Sequence, residues 1–118
     1  MTEIIKNTFS IGSNLFRMYA ATENGILIGT LQAGGWQNNI PFLRDLSVDE
    51  KHRRKGIGKL LLAAVIADAK YSSKSAINLS VSKDNSTAIS LYESNGFRKC
   101  VDHGDGEIWL YLEIGGVS

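Results

Sequence analysis

At 118 residues the chain fits one domain, 1–118, and has no room for a second core. Thirteen basic against twelve acidic side chains leave a net charge of +1, which excludes the overall polycation that drives nonspecific nucleic-acid binding. The one cysteine, Cys100, excludes an internal disulfide and, with two histidines, supplies no metal-ligand cluster.

The N-terminal stretch MTEIIKNTFS has no apolar core of signal length, and no run approaches the ~18 apolar residues of a membrane span, so the expected setting is cytoplasmic and reducing. Residues Glu3 to Ser10 alternate loosely and read as a short first strand. Asn14 to Thr22 and Ile26 to Ala33 are stronger strands, and Asn24-Gly25 between them is a hairpin signal because both residues accept positive φ. Trp36 to Pro41 reads as a loop. Pro41 suits the entry to the next strand, Phe42 to Val48, whose alternation puts Phe42, Arg44, Leu46 and Val48 on one face and Leu43, Asp45 and Ser47 on the other.

A helix is expected from Gly56 to Tyr71, burying Ile57, Leu60, Leu61, Ala64 and Val65. Ala76 to Ser82 alternates cleanly as a strand. Asn85 or Ser86 caps a second helix, which runs to Asn95 with Ala88, Leu91 and Tyr92 on one face and is ended by Gly96. Phe97 to Val101 and Glu107 to Ile114 form a last strand pair, in which Cys100 reads as a small buried hydrophobe. No repeat or low-complexity tract interrupts this order, which argues for a mixed α/β sheet domain.

The positive charge is local. Lys51, His52, Arg53, Arg54, Lys55 and Lys59 fall where a strand end (Leu46, Val48) runs through a glycine-bearing turn into a helix. Such a turn offers unpaired N–H groups, a helix dipole and cationic side chains to a phosphate. A Walker loop is excluded because Arg53 and Leu60 occupy its glycine and hydroxyl positions, and a dinucleotide fingerprint because Leu61 stands at its third small residue.

What remains is R-x-x-G-x-G, from Arg53 to Gly58, five residues after Val48. It resembles the acetyl-CoA pyrophosphate loop of the GNAT superfamily of N-acetyltransferases. Residues 85 to 97, N-S-T-A-I-S-L-Y-E-S-N-G-F, are similar to the second GNAT signature, N-x-x-A-x-x-L-Y-x-x-x-G-F, and stand in the right order one strand later. The resemblance covers Gly25 to Ile114. It implies a mixed, mostly antiparallel sheet of about six to seven strands, splayed between Phe42–Val48 and Ala76–Ser82, with two main helices.

The resemblance further implies acetyl-CoA as cosubstrate. Its pantetheine amides would pair with the backbone of Leu46, Ser47 and Val48. Its pyrophosphate would be held by Arg53, Arg54, Lys55, Gly56, Ile57, Gly58 and Lys59, and its arm by Asn85. Tyr92 would be the general acid to the CoA thiolate. The implied reaction is acetyl transfer to a primary amine by direct attack in a ternary complex, since no matched cysteine or serine stands near Tyr92.

Two departures limit what carries over. Phe42, Arg44 and Ser80 occupy the strand positions where relatives often keep a base. The base is therefore open among Asp45, His103, Glu107 and water. Ile11 to Ser13 also leaves no space for the usual pair of N-terminal helices, so the acceptor side is expected to be open or completed by a second chain. Of the possible amine acceptors, small molecule or protein and peptide, an open site suits a protein or peptide amine, or a large substrate, more than a small molecule enclosed on all sides. A homodimer would cover both this side and the final strand edge. The competing reading is a noncatalytic acyl-CoA-binding or interaction module.

Overall fold

Asn24 and Gly25, at φ 52° and 79°, make the tight turn their sequence demands, and they join two of the seven strands of a single sheet. The computed structural model describes residues 1–102 and 104–115. In chain order the elements are β1 (Thr2–Ile11), β2 (Asn14–Glu23), β3 (Ile26–Gly34), β4 (Phe42–Val48), a 3₁₀ turn (Glu50–His52), α1 (Ile57–Tyr71), β5 (Ala76–Ser82), α2 (Ser86–Ser94), β6 (Arg98–Asp102) and β7 (Glu107–Glu113). The expected elements are all present, and β1 is longer than expected.

The strand order is β1-β2-β3-β4-β5-β7-β6, antiparallel throughout except for the parallel β4–β5 pair. That pair is joined at a single position, Phe42 opposite Asn78, supported by Asn78 N–H donating to the Pro41 carbonyl at 3.1 Å. β5 meanwhile pairs with β7 along its whole length. The sheet therefore opens between β4 and β5 from Phe42 onward, as the resemblance implied.

The final strand does not form an edge, contrary to expectation. β7 lies between β5 and β6 because Ile108 and Leu110 are buried and need neighbours on both sides, while the polar β6 takes the edge.

One face of the sheet holds the core. Tyr19, Leu31, Leu43, Ile77, Leu79 and Leu110 meet Ile57, Leu61, Leu62, Val65 and Ala69 of α1. Each aliphatic chain buried there contributes roughly 1.5–3 kcal/mol. The helix stripe is centred differently from the expected one: Leu62 is buried and Leu60 is 44% exposed. The row Ile57–Leu61–Val65 points at the sheet, and Leu60 falls on its outer flank.

Lys6 reaches Asp68 of α1, so the even residues of β1 look toward the helices. Ile5, Phe9 and Ile11 look away, on a face that no helix covers among the described residues. Phe9 stacks on Phe16 there at 5.3 Å, and Ile5, Ile11, Phe42 and Trp109 stay exposed. Cys100 is also exposed, which corrects its reading as a buried hydrophobe: it lies on an edge strand, on the side of the sheet that lacks a covering layer.

Candidate functional site

The loop before α1 is held by its own backbone and by the strand it leaves. Arg53 Nε donates to the Val48 carbonyl at 3.2 Å, folding that side chain back on β4. His52 Nδ1 lies 2.9 Å from Asp49 Oδ2 and its Nε2 3.5 Å from Glu23, clipping the 3₁₀ turn to the β2–β3 hairpin. The His52 hydrogen bond holds the Asp49 carboxyl below its ordinary range.

Gly56 caps α1 in the left-handed conformation, φ 79°, with open space where a side chain would stand, so conformation rather than crowding selects glycine there. The backbone amides of residues 54–59 donate to no acceptor among the described residues. Lys51, Arg53, Arg54, Lys55 and Lys59 likewise form no ion pair among them. Unpaired amides and cations without an ion pair thus meet around one helix start, an anion site in kind.

Gly58 has a different reason to be glycine. A Cβ there would lie 2.9 Å from Leu91 Cδ2 of α2. Gly29 does the same for the strand below, where a Cβ would meet Ile57 at 3.0 Å and the Ser47 carbonyl at 3.2 Å. These close approaches seat the helix start on the end of β4.

β4 does not alternate as its sequence suggests. Asp45 takes φ 56°, and the register jumps from Gln32 opposite Arg44 to Thr30 opposite Ser47, leaving one extra residue on β4. Aspartate tolerates this conformation, and the bulge resets the parity. Leu43 points into the core before it, and Leu46 and Val48 pack against the core after it, so Phe42 and Arg44 do not share a face with Leu46 and Val48. Past Phe42 the edge of β4 facing β5 has no ladder partner.

On the uncovered face, the mouth of this opening is a cavity of about 520 Å³ lined by Phe42, Arg44, Asp45, Asn78, Ser80 and Trp109, among others. The bulge brings Asp45 to this lining, although the alternation of the sequence put it on the face opposite Phe42 and Arg44. The Ser80 hydroxyl donates to Glu107 Oε1 at 2.7 Å, so a second carboxylate stands beside that wall, on β7. Trp109 was not legible as a site residue: it lies opposite Ser80 only because β7 inserts beside β5. His103 lies outside the described residues.

Asn85 caps α2, accepting from the Ala88 N–H at 3.1 Å, so its Oδ1 is engaged in the helix start. Tyr92, two turns further, is buried with its ring edge-on to Phe97 at 5.6 Å. Its hydroxyl has no hydrogen-bond partner among the described residues, and burial raises its pKa. The phenol is thus protonated at neutral pH.

A mixed sheet parted between two parallel strands, with a cationic glycine turn opening the first crossover helix, is the GNAT type of α/β fold. A model of the acetyltransferase (GNAT) domain matches residues 14–99, and the chain belongs to that family. It is 32% identical over 106 residues to human N-acetyltransferase 8B, covering 84% of this chain and 45% of that protein. The chain thus spans less than half the length of this curated relative.

Among solved structures, the ribosomal-protein-S18-alanine N-acetyltransferase of Escherichia coli superposes with a TM-score of 0.78 at 25% identity, over 87% of this chain and 72% of that one. A Bacillus anthracis protein assigned as a streptothricin acetyltransferase, solved in complex with acetyl coenzyme A, superposes at 0.76 with 28% identity, over 85% and 63%.

Proposed function

We propose that this chain is an acetyl-CoA-dependent N-acetyltransferase that moves an acetyl group to a primary amine by direct attack in a ternary complex. The observation that carries the reading is the run of unpaired amides at 54–59, set among cations without an ion pair at the end of an unpaired strand edge. Pyrophosphate fits the amides and cations. Pantetheine amides fit the edge of β4 at Leu46, Ser47 and Val48, as an added strand would. The Bacillus anthracis neighbour crystallised with acetyl coenzyme A supports the choice of cosubstrate.

In this reading the amine nitrogen of the acceptor attacks the thioester carbonyl, the C–N bond forms, and the oxyanion collapses with cleavage of C–S. Tyr92, kept protonated by burial, donates to the departing thiolate. The amine proton leaves to Glu107, fixed by Ser80, or to water. Asp45 is the weaker candidate because its carboxylate is largely exposed, with only a long contact to Arg44 at 3.6 Å to orient it. The exposed thiol of Cys100 suits a reducing, cytoplasmic setting. A second copy over the uncovered face would shield Ile5, Ile11 and Trp109.

The test is thiol release from acetyl-CoA across a panel of amines, with calorimetry of CoA binding alongside. Amine-dependent release is the expected result. Tight CoA binding with no transfer to any amine would overturn the catalytic reading and favour a binding module, for which the uncovered acceptor face is the specific argument.

A further inference from the structure

Arg44 is held in a way that surface arginines are not. Its Nε donates to Gln32 Oε1 at 3.1 Å across the β3–β4 ladder, and its guanidinium carbon lies 4.4 Å from the centre of the Phe16 ring. Phe16 is itself pinned from beyond by Phe9. The plane of the guanidinium is therefore set by stacking and its rotation by the Gln32 bond. Asp45 stands 3.6 Å from the same Nε and is two-thirds exposed, a weak and well-solvated partner. The two Nη nitrogens have no hydrogen-bond acceptor among the described residues. An arginine fork oriented in advance, with its outer nitrogens unfilled and lining a cavity, matches a carboxylate.

The rest of the same cavity has complementary chemistry. Its other wall carries Ser80, with the Glu107 carboxylate 2.7 Å from the hydroxyl. Ile40, Phe42 and Trp109 complete the lining, Phe42 on the strand of Arg44 and Trp109 beside Ser80 on β7, as apolar surface that no covering element shields among the described residues. Cation on one side of the opening, carboxylate on the other and aromatic surface flanking each describe the counterpart of a zwitterion with an apolar side chain.

We propose that the acceptor is a free α-amino acid with an apolar side chain, its carboxylate clamped by Arg44 and its amine directed toward the Ser80–Glu107 wall. This rests on the N-acetyltransferase reading above and narrows it to a substrate class. A peptide N-terminus has its α-carboxyl in an amide bond and cannot fill the fork, so the open face is not in itself a sign of a protein acceptor. In the reaction the carboxylate is unchanged: only the amine gains the acetyl group and loses a proton, so Arg44 acts on binding and specificity.

The comparison of L-phenylalanine with L-phenylalaninamide isolates that carboxylate. The amide has the more acidic ammonium and hence more neutral amine at pH 7, so a site without a clamp would favour it. Calorimetric titration of each compound into the CoA-saturated protein, and steady-state acetylation of each, are the two readouts. The acid is expected to bind and react better by on the order of thirty-fold, the scale of a charge-assisted hydrogen bond. Arg44→Ala should remove that preference without changing CoA binding, and Arg44→Lys should restore part of it.

Equal or better use of the amide by the native chain would overturn the proposal. So would an equal loss for acid and amide in Arg44→Ala, better use of a phenylalanyl peptide than of the free acid, or no binding of either compound. Arg44-dependent binding of the acid without acetyl transfer would leave the subsite standing and overturn the catalytic reading instead.

Discussion

Gly58 of α1 and Leu91 of α2 touch where only hydrogen fits: a Cβ on Gly58 would lie 2.9 Å from Leu91 Cδ2. The two helices that bear the two sequence signatures are therefore packed against each other at the signatures themselves, and Tyr92 follows Leu91 directly. Gly58→Ala gains about 1 kcal/mol of helix propensity and meets an overpacking cost of similar size or larger. Its stability should change by less than about 2 kcal/mol, while CoA affinity falls about tenfold as the helix start shifts. Gly58→Ala with Leu91→Ala should recover most of that affinity. A double variant as weak as the single one in calorimetry would show that the contact does not set the loop.

Tyr92→Phe tests the phenol without disturbing packing, because the edge contact with Phe97 needs only the ring. Stability and CoA affinity should stay within about 0.5 kcal/mol of the native chain, and kcat should fall by a factor on the order of a hundred or more. Steady-state turnover within a few-fold of native would remove the hydroxyl from the chemistry.

Asp68 is the hub of a partly buried network that ties α1 to the first two strands. It accepts from Tyr19 Oη at 2.8 Å and Lys6 Nζ at 3.0 Å and pairs with Arg17 at 3.5 Å. Arg17 Nε is already buried without a hydrogen-bond partner among the described residues, so without Asp68 this cation keeps only the faces of Trp36 at 5.1 Å and Tyr19 at 6.0 Å. Asp68→Ala should cost about 2–4 kcal/mol in urea denaturation, and Asp68→Asn, which keeps an acceptor, less. A loss below about 0.5 kcal/mol for the alanine variant would mean that the network is ornamental.

Two phenols are raised above the ordinary tyrosine value near 10: Tyr92 by burial, and Tyr19 by burial and then by its bond to and the charge of Asp68. Above pH 10 the unfolded chain has released protons that the native chain still holds. Stability is therefore fully present below about pH 10 and declines as pH rises through the folded values. Denaturation midpoints at pH 8, 10 and 11 should fall steeply over the last interval. Tyr19→Phe should lower stability at pH 8 by about 1–2 kcal/mol and flatten the alkaline slope. An unchanged slope would show that Tyr19 does not hold its proton as the burial implies.

Where the sequence was readable, the determinants are local. Arg53-x-x-Gly56-x-Gly58 and Asn85 to Phe97 fix conformation and packing within a few residues, so loop, cap and helix were visible in the chain. Asp45 was not, because Leu43 to Val48 keeps a plausible alternation on paper and no glycine announces the φ of 56°. Trp109 and Glu107 became neighbours of Ser80 only through the insertion of β7 beside β5, a long-range choice of strand order. Cys100 was misread for a related reason: its side of the sheet lacks a covering layer, and periodicity alone cannot register a missing layer.

In the proposed reaction acetyl-CoA lies along the open edge of β4 with its sulfur beside Tyr92. A crystal structure of the chain soaked with CoA measures this directly. Pantetheine amides should pair with the backbone of Leu46, Ser47 and Val48, pyrophosphate should sit on the amides of residues 54–59, and sulfur should fall within hydrogen-bond reach of the Tyr92 hydroxyl. CoA bound outside the β4–β5 opening, or in it with Tyr92 turned away from the sulfur, would contradict this placement.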